Sequence, residues 1–292
     1  MEKLKFASLF TGIGGFEKAI SEIFPNSECA FFSEIDRHAI KTFLKNFPEN
    51  EGENIGDIEK IVFDIDEDGN FSVNEERVKA LPDFDLLVGG SPCQDLSIAK
   101  ANRKGLDGTR SRLFYAYSAI LRIKKPKYFI LENVASMSQD AKARMSDELS
   151  KSVGYEVRPT LINSALVSVQ KRQRLYWTNW KVEQPADRGI VWPELRAWSK
   201  STRYPEGAPP YVEQRFTTNG KANTLTTGNG CGSFSSRNYI GDRILTPSEC
   251  ELIQTFPVGW TEGVPAAQRY KQLGNAVNVE TIKHILSELK KK

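Results

Sequence analysis

The sequence predicts an α/β protein: a large lobe on a mostly parallel sheet, then a small loop-rich lobe and a closing segment. Three observations carry this. Strand-like runs alternate with helical periodicities from Lys3 to Ser152. Two of the runs, Leu86-Leu87-Val88 and Tyr128-Phe129-Ile130-Leu131, are apolar at every position, as strands covered on both faces require. After Trp180 the texture changes, with Pro, Gly, Ser, Thr and Asn crowding between scattered aromatics. The expected boundaries are 1–180, 181–243 and 244–292, the last segment returning to the large lobe.

A chain of 292 residues can bury the core such an arrangement needs. Its 39% hydrophobic and 26% charged content argues against disorder. No apolar run approaches the roughly 20 residues that cross a bilayer, so no membrane association is expected. Met1-Glu2-Lys3-Leu4-Lys5 leads into a strand-like segment rather than a signal sequence, and a cytoplasmic location is expected. Cys29, Cys93, Cys231 and Cys250 are widely spaced and His38 and His284 lie far apart, which predicts neither a metal site nor a disulfide. General acid and base work then falls to carboxylates. Net charge is only +3, yet Lys100, Arg103, Lys104, Arg110 and Arg112 form one basic group and Lys171, Arg172 and Arg174 another. Such groups suit a polyanion, nucleic acid included, and equally a solvated charged face.

In order, Lys3 to Phe10 reads as a first strand, and Thr11-Gly12-Ile13-Gly14-Gly15 turns it into a helix over Phe16 to Ile23. Glycines let a ligand approach the backbone, and the helix start beyond them offers free N–H groups. The pattern is G-x-G-G, not the dinucleotide G-x-G-x-x-G. A second strand, Cys29 to Ser33, ends at Glu34-Ile35-Asp36 before a helix over Arg37 to Asn46. An acid about 20 residues past a glycine turn is placed for ribose hydroxyls, though Glu34 alone could as well be a surface carboxylate. Asn54-Ile55-Gly56-Asp57-Ile58 would end a third strand. Asp64, Asp66, Asp68, Gly69 and Glu75 match the calcium-loop spacing. Ile61-Val62-Phe63 and Phe71-Ser72-Val73 both read as β, however, which favours an exposed acidic hairpin.

The run at Leu86 stops at Gly89-Gly90-Ser91 and presents Pro92-Cys93-Gln94 at the carboxyl end of a strand, where open α/β sheets keep their active sites. Taken alone, such a cysteine is more often core. Leu113, Phe114, Tyr117, Ile120 and Leu121 mark a helix over Ser111 to Ile123. The strand at Tyr128 ends at Glu132-Asn133-Val134, which sets a carboxylate at a strand tip beside that of Cys93 if the two strands are neighbours. Alone, Glu132 would more often be a helix cap. A helix over Asp140 to Ser152 precedes strands around Tyr155 to Ile162 and Gln173 to Trp180. Between them the period of two puts Gln170, Arg172 and Arg174 on one face, either an exposed basic face or a pair of guanidiniums seeking acceptors. Trp192, Trp198, Tyr204, Tyr211 and Phe216 could contact nucleic acid from among basic and polar loops, but the small lobe also needs a core, the commoner use of such aromatics. Thr246-Pro247-Ser248-Glu249 is a capping box opening a helix through Thr255, and Gln272 to Val277 leads to a closing helix, Val279 to Leu289.

Taken together, Phe10-Thr11-Gly12-Ile13-Gly14-Gly15, Pro92-Cys93-Gln94, Glu132-Asn133-Val134, Gln170-Lys171-Arg172-Gln173-Arg174 and Gly274-Asn275-Ala276-Val277 resemble the ordered motifs of the DNA (cytosine-5)-methyltransferases. The resemblance runs from Phe6 to Val279. The string Gly89 to Ser97 with Lys104-Gly105-Leu106 is similar to the animal de novo branch, whereas a short chain is more typical of bacteria and their phages. The resemblance implies a Rossmann-like class I methyltransferase domain with a mixed sheet and a target-recognition lobe. It implies S-adenosyl-L-methionine as donor, S-adenosyl-L-homocysteine as product, and base flipping of a cytosine in double-stranded DNA by a monomer. Carried over, Phe10, Gly12 and Gly14 would border the donor, Glu34 its ribose, Asp57 and Ile58 its adenine, and Asn275 and Val277 its methionine end, with Leu113 also lining the pocket. Cys93 would be the nucleophile, Glu132 the acid on the base edge, and Arg172 and Arg174 the pair near the flipped base. Methylation of RNA cytosine and a silent DNA-binding relative are the competing readings. Restriction-modification, phage protection and epigenetic marking are roles compatible with the resemblance.

Overall fold

A computed structural model of the chain describes residues 3–50, 52–67, 71–91, 112–198, 216–217, 219–227, 238–240 and 243–291. The segment carrying Pro92-Cys93-Gln94 lies outside the described residues, as do Tyr204 and Tyr211. The first part of the chain runs β1 (Lys5–Leu9), α1 (Gly15–Ile23), β2 (Glu28–Ser33), α2 (Arg37–Asn46), β3 (Glu53–Asn54), α3 (Ile58–Val62), β4 (Phe63–Ile65), β5 (Phe71–Val73), α4 (Glu75–Ala80), β6 (Leu86–Gly90), α5 (Arg112–Lys124), β7 (Tyr128–Val134), α6 (Gln139–Val153), β8 (Pro159–Asn163) and β9 (Gln173–Thr178). After it come β10 (Leu195–Trp198), β11 (Phe216–Thr217), β12 (Asn238–Ile240), β13 (Arg243–Ile244), α7 (Pro247–Ile253), α8 (Ala266–Asn275) and α9 (Val279–Lys290).

Seven strands form one sheet in the order β3-β2-β1-β6-β7-β9-β8. The first five are parallel, and β9 and β8 continue it antiparallel, the mixed, mostly parallel α/β sheet expected. Order reverses between β1 and β6, which pair from Phe6↔Leu86 to Leu9↔Gly89. The crevice above the carboxyl ends of those two strands is where such sheets bind ligands. Alternation along each strand feeds two cores. Phe6, Phe32, Val88 and Ile130 face one way, and Ala7, Leu9, Phe31, Leu87, Phe129 and Leu131 the other. Burial on both sides is why the apolar runs lack a polar face. The first core also takes in Ile282, Ile285 and Leu286 of α9, which packs against α1.

Several elements depart from the sequence reading. Asp57 does not end a strand but caps α3, accepting from the Glu59 N–H at 3.1 Å, and α3 takes up Ile61 and Val62. The expected hairpin is β4–β5, with Asp64 opposite Ser72. The ends of the calcium-like spacing are both engaged by bases: Asp64 with Arg77, and Glu75, the first residue of α4, with Lys79 and Arg122. β7 runs on to Val134, so Glu132 is a strand residue rather than one beyond a tip. Helix α8 precedes the expected closing helix and carries no legible apolar stripe, because Gln268, Arg269, Lys271 and Gln272 leave it polar. The capping box at Thr246 and Glu249 is present in full.

The second sheet, β11-β10-β12-β13, is antiparallel. It is stitched to the first unit by segment 221–225, where Ala222 donates to Val169 O at 2.7 Å and accepts from Lys171 N at 2.8 Å. Lys221 adds bonds to Ala165 O and Ser168 O at 2.7 and 3.0 Å.

Candidate active site

Phe10 follows β1 with φ 59°, and Gly12 and Gly14 have φ of 60° and 84°. A non-glycine residue held there stores strain, which the fold retains at few places outside sites. Gly14 caps α1 with no side-chain hydrogen bond, so the first N–H groups of that helix remain an anion-binding end. Gly15 then packs so closely on Val277 that a Cβ there would lie 2.6 Å from a valine methyl. That contact brings the C-terminal Gly274–Val277 stretch onto the glycine turn.

Glu34 organises the neighbouring turn. Its Oε2 accepts from Gly12 N at 2.8 Å, and Oε1 accepts from Ile35 N and Asp36 N at 2.8 Å each. Asn54 locks the same turn from β3, accepting from Glu34 N at 3.2 Å and donating to Glu34 O at 3.1 Å. Ile58 is 2% exposed inside the second core, so its side chain is structural, while Leu113 is half-buried against that core. Asn275 closes α8 at the surface. The structure thus sets Phe10, Gly12, Gly14 and Glu34 beyond the carboxyl ends of β1 and β2, with Val277 packed on Gly15 and Asp57 at the cap of α3 beyond β3.

Across the switch point, β6 ends beside Glu132. Gly90 pairs with Glu132 in register, and a Cβ on Gly90 would meet Glu132 Oε2 at 3.1 Å. Glycine here leaves room for the carboxylate to lie over the strand end. Arg174 Nε sits 2.9 Å from Glu132 Oε1, both side chains nearly buried. Tyr176, opposite Glu132 on β9, is buried, and burial together with the Glu132 carboxylate pushes its phenol well up. Asn133 donates to Ser91 Oγ at 3.0 Å and to Ser91 O at 3.4 Å. It thereby ties β7 to the residue from which the Cys93 segment departs. The sequence signal for this role is no more than an amide next to an acid near the end of an apolar run.

The two arginines have separate partners. The period-of-two argument fails because β9 starts only at Gln173. Arg172, 3% exposed, donates to Leu225 O at 3.2 Å, Gly274 O at 3.3 Å and Ala276 O at 2.8 Å. Gln254 also grips this loop, donating to Leu273 O at 2.6 Å and Ala276 O at 3.0 Å. Arg174 alone of the pair reaches Glu132.

The chain matches the family model for C-5 cytosine-specific DNA methylases over residues 4–223 and 192–291. It is 41% identical over 180 residues to the orphan methyltransferase M.SPRI of Bacillus phage SPR, covering 60% of this chain and 37% of that one. It is 29% identical to the type II methyltransferase M.HpaII of Haemophilus parainfluenzae, across 99% of this chain and 90% of that protein. The matches to M.SPRI and to M.Rho11sI of Bacillus phage rho11s span about a third of those proteins, 37% and 33%. Among solved structures, the S. pombe Dnmt2 methyltransferase superposes with a TM-score of 0.71 at 17% identity, covering 99% of each chain. The Entamoeba histolytica methyltransferase EhMeth does so with 0.69 at 16%, covering 100% of this chain and 99% of its own. The fold is that of the class I methyltransferases. With the family model matched along almost its whole length, the chain belongs to the C-5 cytosine-specific DNA methylases.

Proposed function

We propose that this chain transfers a methyl group from S-adenosyl-L-methionine to C5 of a cytosine flipped out of double-stranded DNA, through a covalent bond between Cys93 and C6. The observation that carries the reading is the nearly buried Glu132–Arg174 pair, within β7 and at the start of β9, beside the end of β6 from which the Cys93 segment leaves.

The donor would lie in the crevice between the Phe10–Gly14 turn, Glu34 and Val277. The uncapped start of α1 suits its carboxylate, Glu34 its ribose, and the segment of Asp57 and Ile58 its adenine, with Leu113, Asn275 and Val277 completing the pocket. When bound, it supplies an electrophilic sulfonium methyl. The chain's own residues do the rest. The Cys93 thiolate adds to C6 and turns C5 into an enamine-like nucleophile. Glu132 meets the N3 edge and Arg174 the O2 edge, relieving negative charge that builds in the ring as C6 is attacked. After transfer, loss of the C5 proton and expulsion of the Cys93 sulfur restore aromaticity. Because C6 is inaccessible within a stacked duplex, the base leaves the helix, at a cost of a few kcal/mol offset by contacts in the pocket. Arg172 belongs to the frame that holds the donor loop, and its contribution at the base is through that frame.

No helix among the described residues is long and apolar enough to cross a membrane. We take the protein to act as a monomer on DNA in the cytoplasm of a bacterial cell. The test uses labelled methyl incorporation into duplex DNA and into tRNA, with bisulfite sequencing of the product. Incorporation into duplex DNA alone is expected, Cys93→Ala is expected to abolish it, and a 5-fluorocytosine duplex is expected to trap the wild-type protein covalently. Undiminished activity in Cys93→Ala overturns the mechanism. Incorporation into tRNA alone, or none at all, overturns the substrate.

A further inference from the structure

The Ile13–Gly14 peptide sits at the centre of the glycine turn, between Gly12 at φ 60° and the α1 cap at Gly14. Glycine takes either sign of φ freely, so the residues of the turn do little to choose one orientation of that peptide. Both of its ends are tied. Gly14 N donates to Thr11 O at 3.1 Å, and Ile13 O accepts from the indole Nε1 of Trp260 at 2.8 Å, a buried bond between residues 247 positions apart. Among the described residues no backbone N–H reaches Ile13 O, so without the indole a buried carbonyl goes unpaired.

Trp260 is held in turn. The fully buried Glu251 carboxylate accepts from the residues on either side of it, Gly259 N at 2.7 Å and Thr261 N at 2.8 Å. Arg269 of α8 pairs with Glu251 at 3.0 Å, so this clamp carries its own counter-charge. From α2, Asn46 donates to Trp260 O and Lys45 to Gly259 O, each at 2.9 Å. The indole packs against Phe256, at 5.3 Å and 36°, and Phe47, edge-on at 5.6 Å. A Cβ on Gly14 would fall 2.5 Å from the Phe47 ring and one on Gly15 3.3 Å from that of Phe256, so the same rings close on the turn. Helix α2 is the one that leaves the Glu34 turn, capped by Asp36. One indole thus registers the glycine turn after β1 against the helix that follows Glu34. Packing alone needs no indole N–H, because phenylalanine would fill most of the same space.

We propose that Trp260 is a positioning residue for the donor: its indole N–H fixes the Ile13–Gly14 peptide, and so holds the free N–H groups at the start of α1 in register with Glu34 for one bound molecule. The inference rests on the donor reading given above. Trp180 supplies the control, since its indole also donates to a buried carbonyl, Ile285 O at 3.2 Å, but in the packing of α9. S-adenosyl-L-homocysteine is titrated calorimetrically into the full chain, into Trp260→Phe and into Trp180→Phe at a temperature where all three are folded. Affinity should fall about fivefold or more in Trp260→Phe, while Trp180→Phe, with a comparable loss of Tm, stays within about twofold of wild type. On duplex DNA, KM for S-adenosyl-L-methionine should rise in Trp260→Phe and kcat at saturating donor should hold, a split that simple destabilisation does not produce. In heteronuclear NMR, the indole N–H signal missing from Trp260→Phe should shift when the wild type binds the product, and that of Trp180 should stay. A wild type that binds no S-adenosyl-L-homocysteine overturns the donor reading and this inference with it. Wild-type affinity in Trp260→Phe, an equal loss in Trp180→Phe, a fall in kcat with KM unchanged, or a Trp260 signal that does not move each overturns this inference alone. Should Trp260→Phe fail to fold, Asn46→Ala, which releases Trp260 O from α2, decides: severalfold weaker binding is expected, and unchanged binding overturns the inference.

Discussion

Replacing Arg172 by alanine removes three hydrogen bonds from a guanidinium that is 3% exposed, to carbonyls on two different segments. Hydrogen bonds from charged donors contribute about 1.5–3 kcal/mol each. Two of these three are long, at 3.2 and 3.3 Å, and the set acts as a unit, so a loss of about 3 kcal/mol is the reasonable sum. For a chain of this size that corresponds to a drop in Tm of roughly 5 °C. The loss falls on the loop that sets Val277 against Gly15, so the donor-competent arrangement becomes less populated and apparent affinity falls with that population. Calorimetry with S-adenosyl-L-homocysteine should show at least tenfold weaker binding by Arg172→Ala. Arg172→Lys should lie between, since one ammonium cannot span three carbonyls as a guanidinium fork does. Arg174→Ala should bind the product normally and lose turnover by about 100-fold or more. An Arg172→Ala protein that melts at the wild-type temperature and binds S-adenosyl-L-homocysteine normally would refute the assignment, as would an Arg174→Ala protein whose donor affinity falls equally.

Three further outcomes follow from single contacts. Glu132→Gln keeps the shape over Gly90 but loses the proton-bearing group, so single-turnover methylation should slow by about 10²–10⁴ while product affinity holds. Gly90→Ala puts a methyl 3.1 Å from Glu132 Oε2, and because the carboxylate must shift by a few tenths of an ångström, kcat should fall more than Tm. Burial pushes the Glu17 carboxyl from 4.5 up to about 7, which means the folded chain binds a proton more tightly than the unfolded one. That stabilisation is complete below pH 4.5 and is lost as pH rises through about 7, a change of about 3 kcal/mol at 1.36 kcal/mol per unit. Urea midpoints of wild type and Glu17→Gln from pH 5 to pH 8 should therefore diverge, the variant gaining relative to wild type as pH rises; parallel curves would exclude an isolated buried acid.

Legibility in the sequence tracked burial. The doubly covered strands were readable because each apolar run has no polar face, and α2 was readable to its ends because Asp36 caps it and its apolar positions recur at helical spacing. The short elements were not. β3 has two residues, and α3 begins at an aspartate cap that reads as a strand end when its helix is only five residues long. Helix α8 was hidden because tertiary contacts replace an apolar stripe: Lys271 pairs with Asp36 at 2.7 Å and Gln272 accepts from Thr42 at 3.2 Å. Glu34 and Glu132 were singled out by position at strand ends, which is a property of the fold class. The distinct partners of Arg172 and Arg174 depend on where β9 begins, and no local pattern encodes that.

That onset bears on how donor and target are connected. Just before β9, the backbone at Arg172 is held by Asn163, whose Oδ1 accepts from Arg172 N at 3.1 Å, and by Ser164 N, which donates to Arg172 O at 3.0 Å. Fixed there, the side chain crosses to Leu225 of the second lobe and to Gly274 and Ala276 at the end of α8. Two residues later, inside the strand, Arg174 faces Glu132. One guanidinium thus supports the frame and the other meets the acid at the end of β7, from adjacent turns of a single backbone. Gly274 packs so tightly against the Thr226 backbone that a Cβ would not fit, so the end of α8 and the segment entering the second lobe are in direct contact. A displacement of the second lobe therefore bears on the loop that ends at Val277 by two routes, through Arg172 and through the direct contact of Gly274 with Thr226, so loss of the arginine alone should weaken that support without severing it.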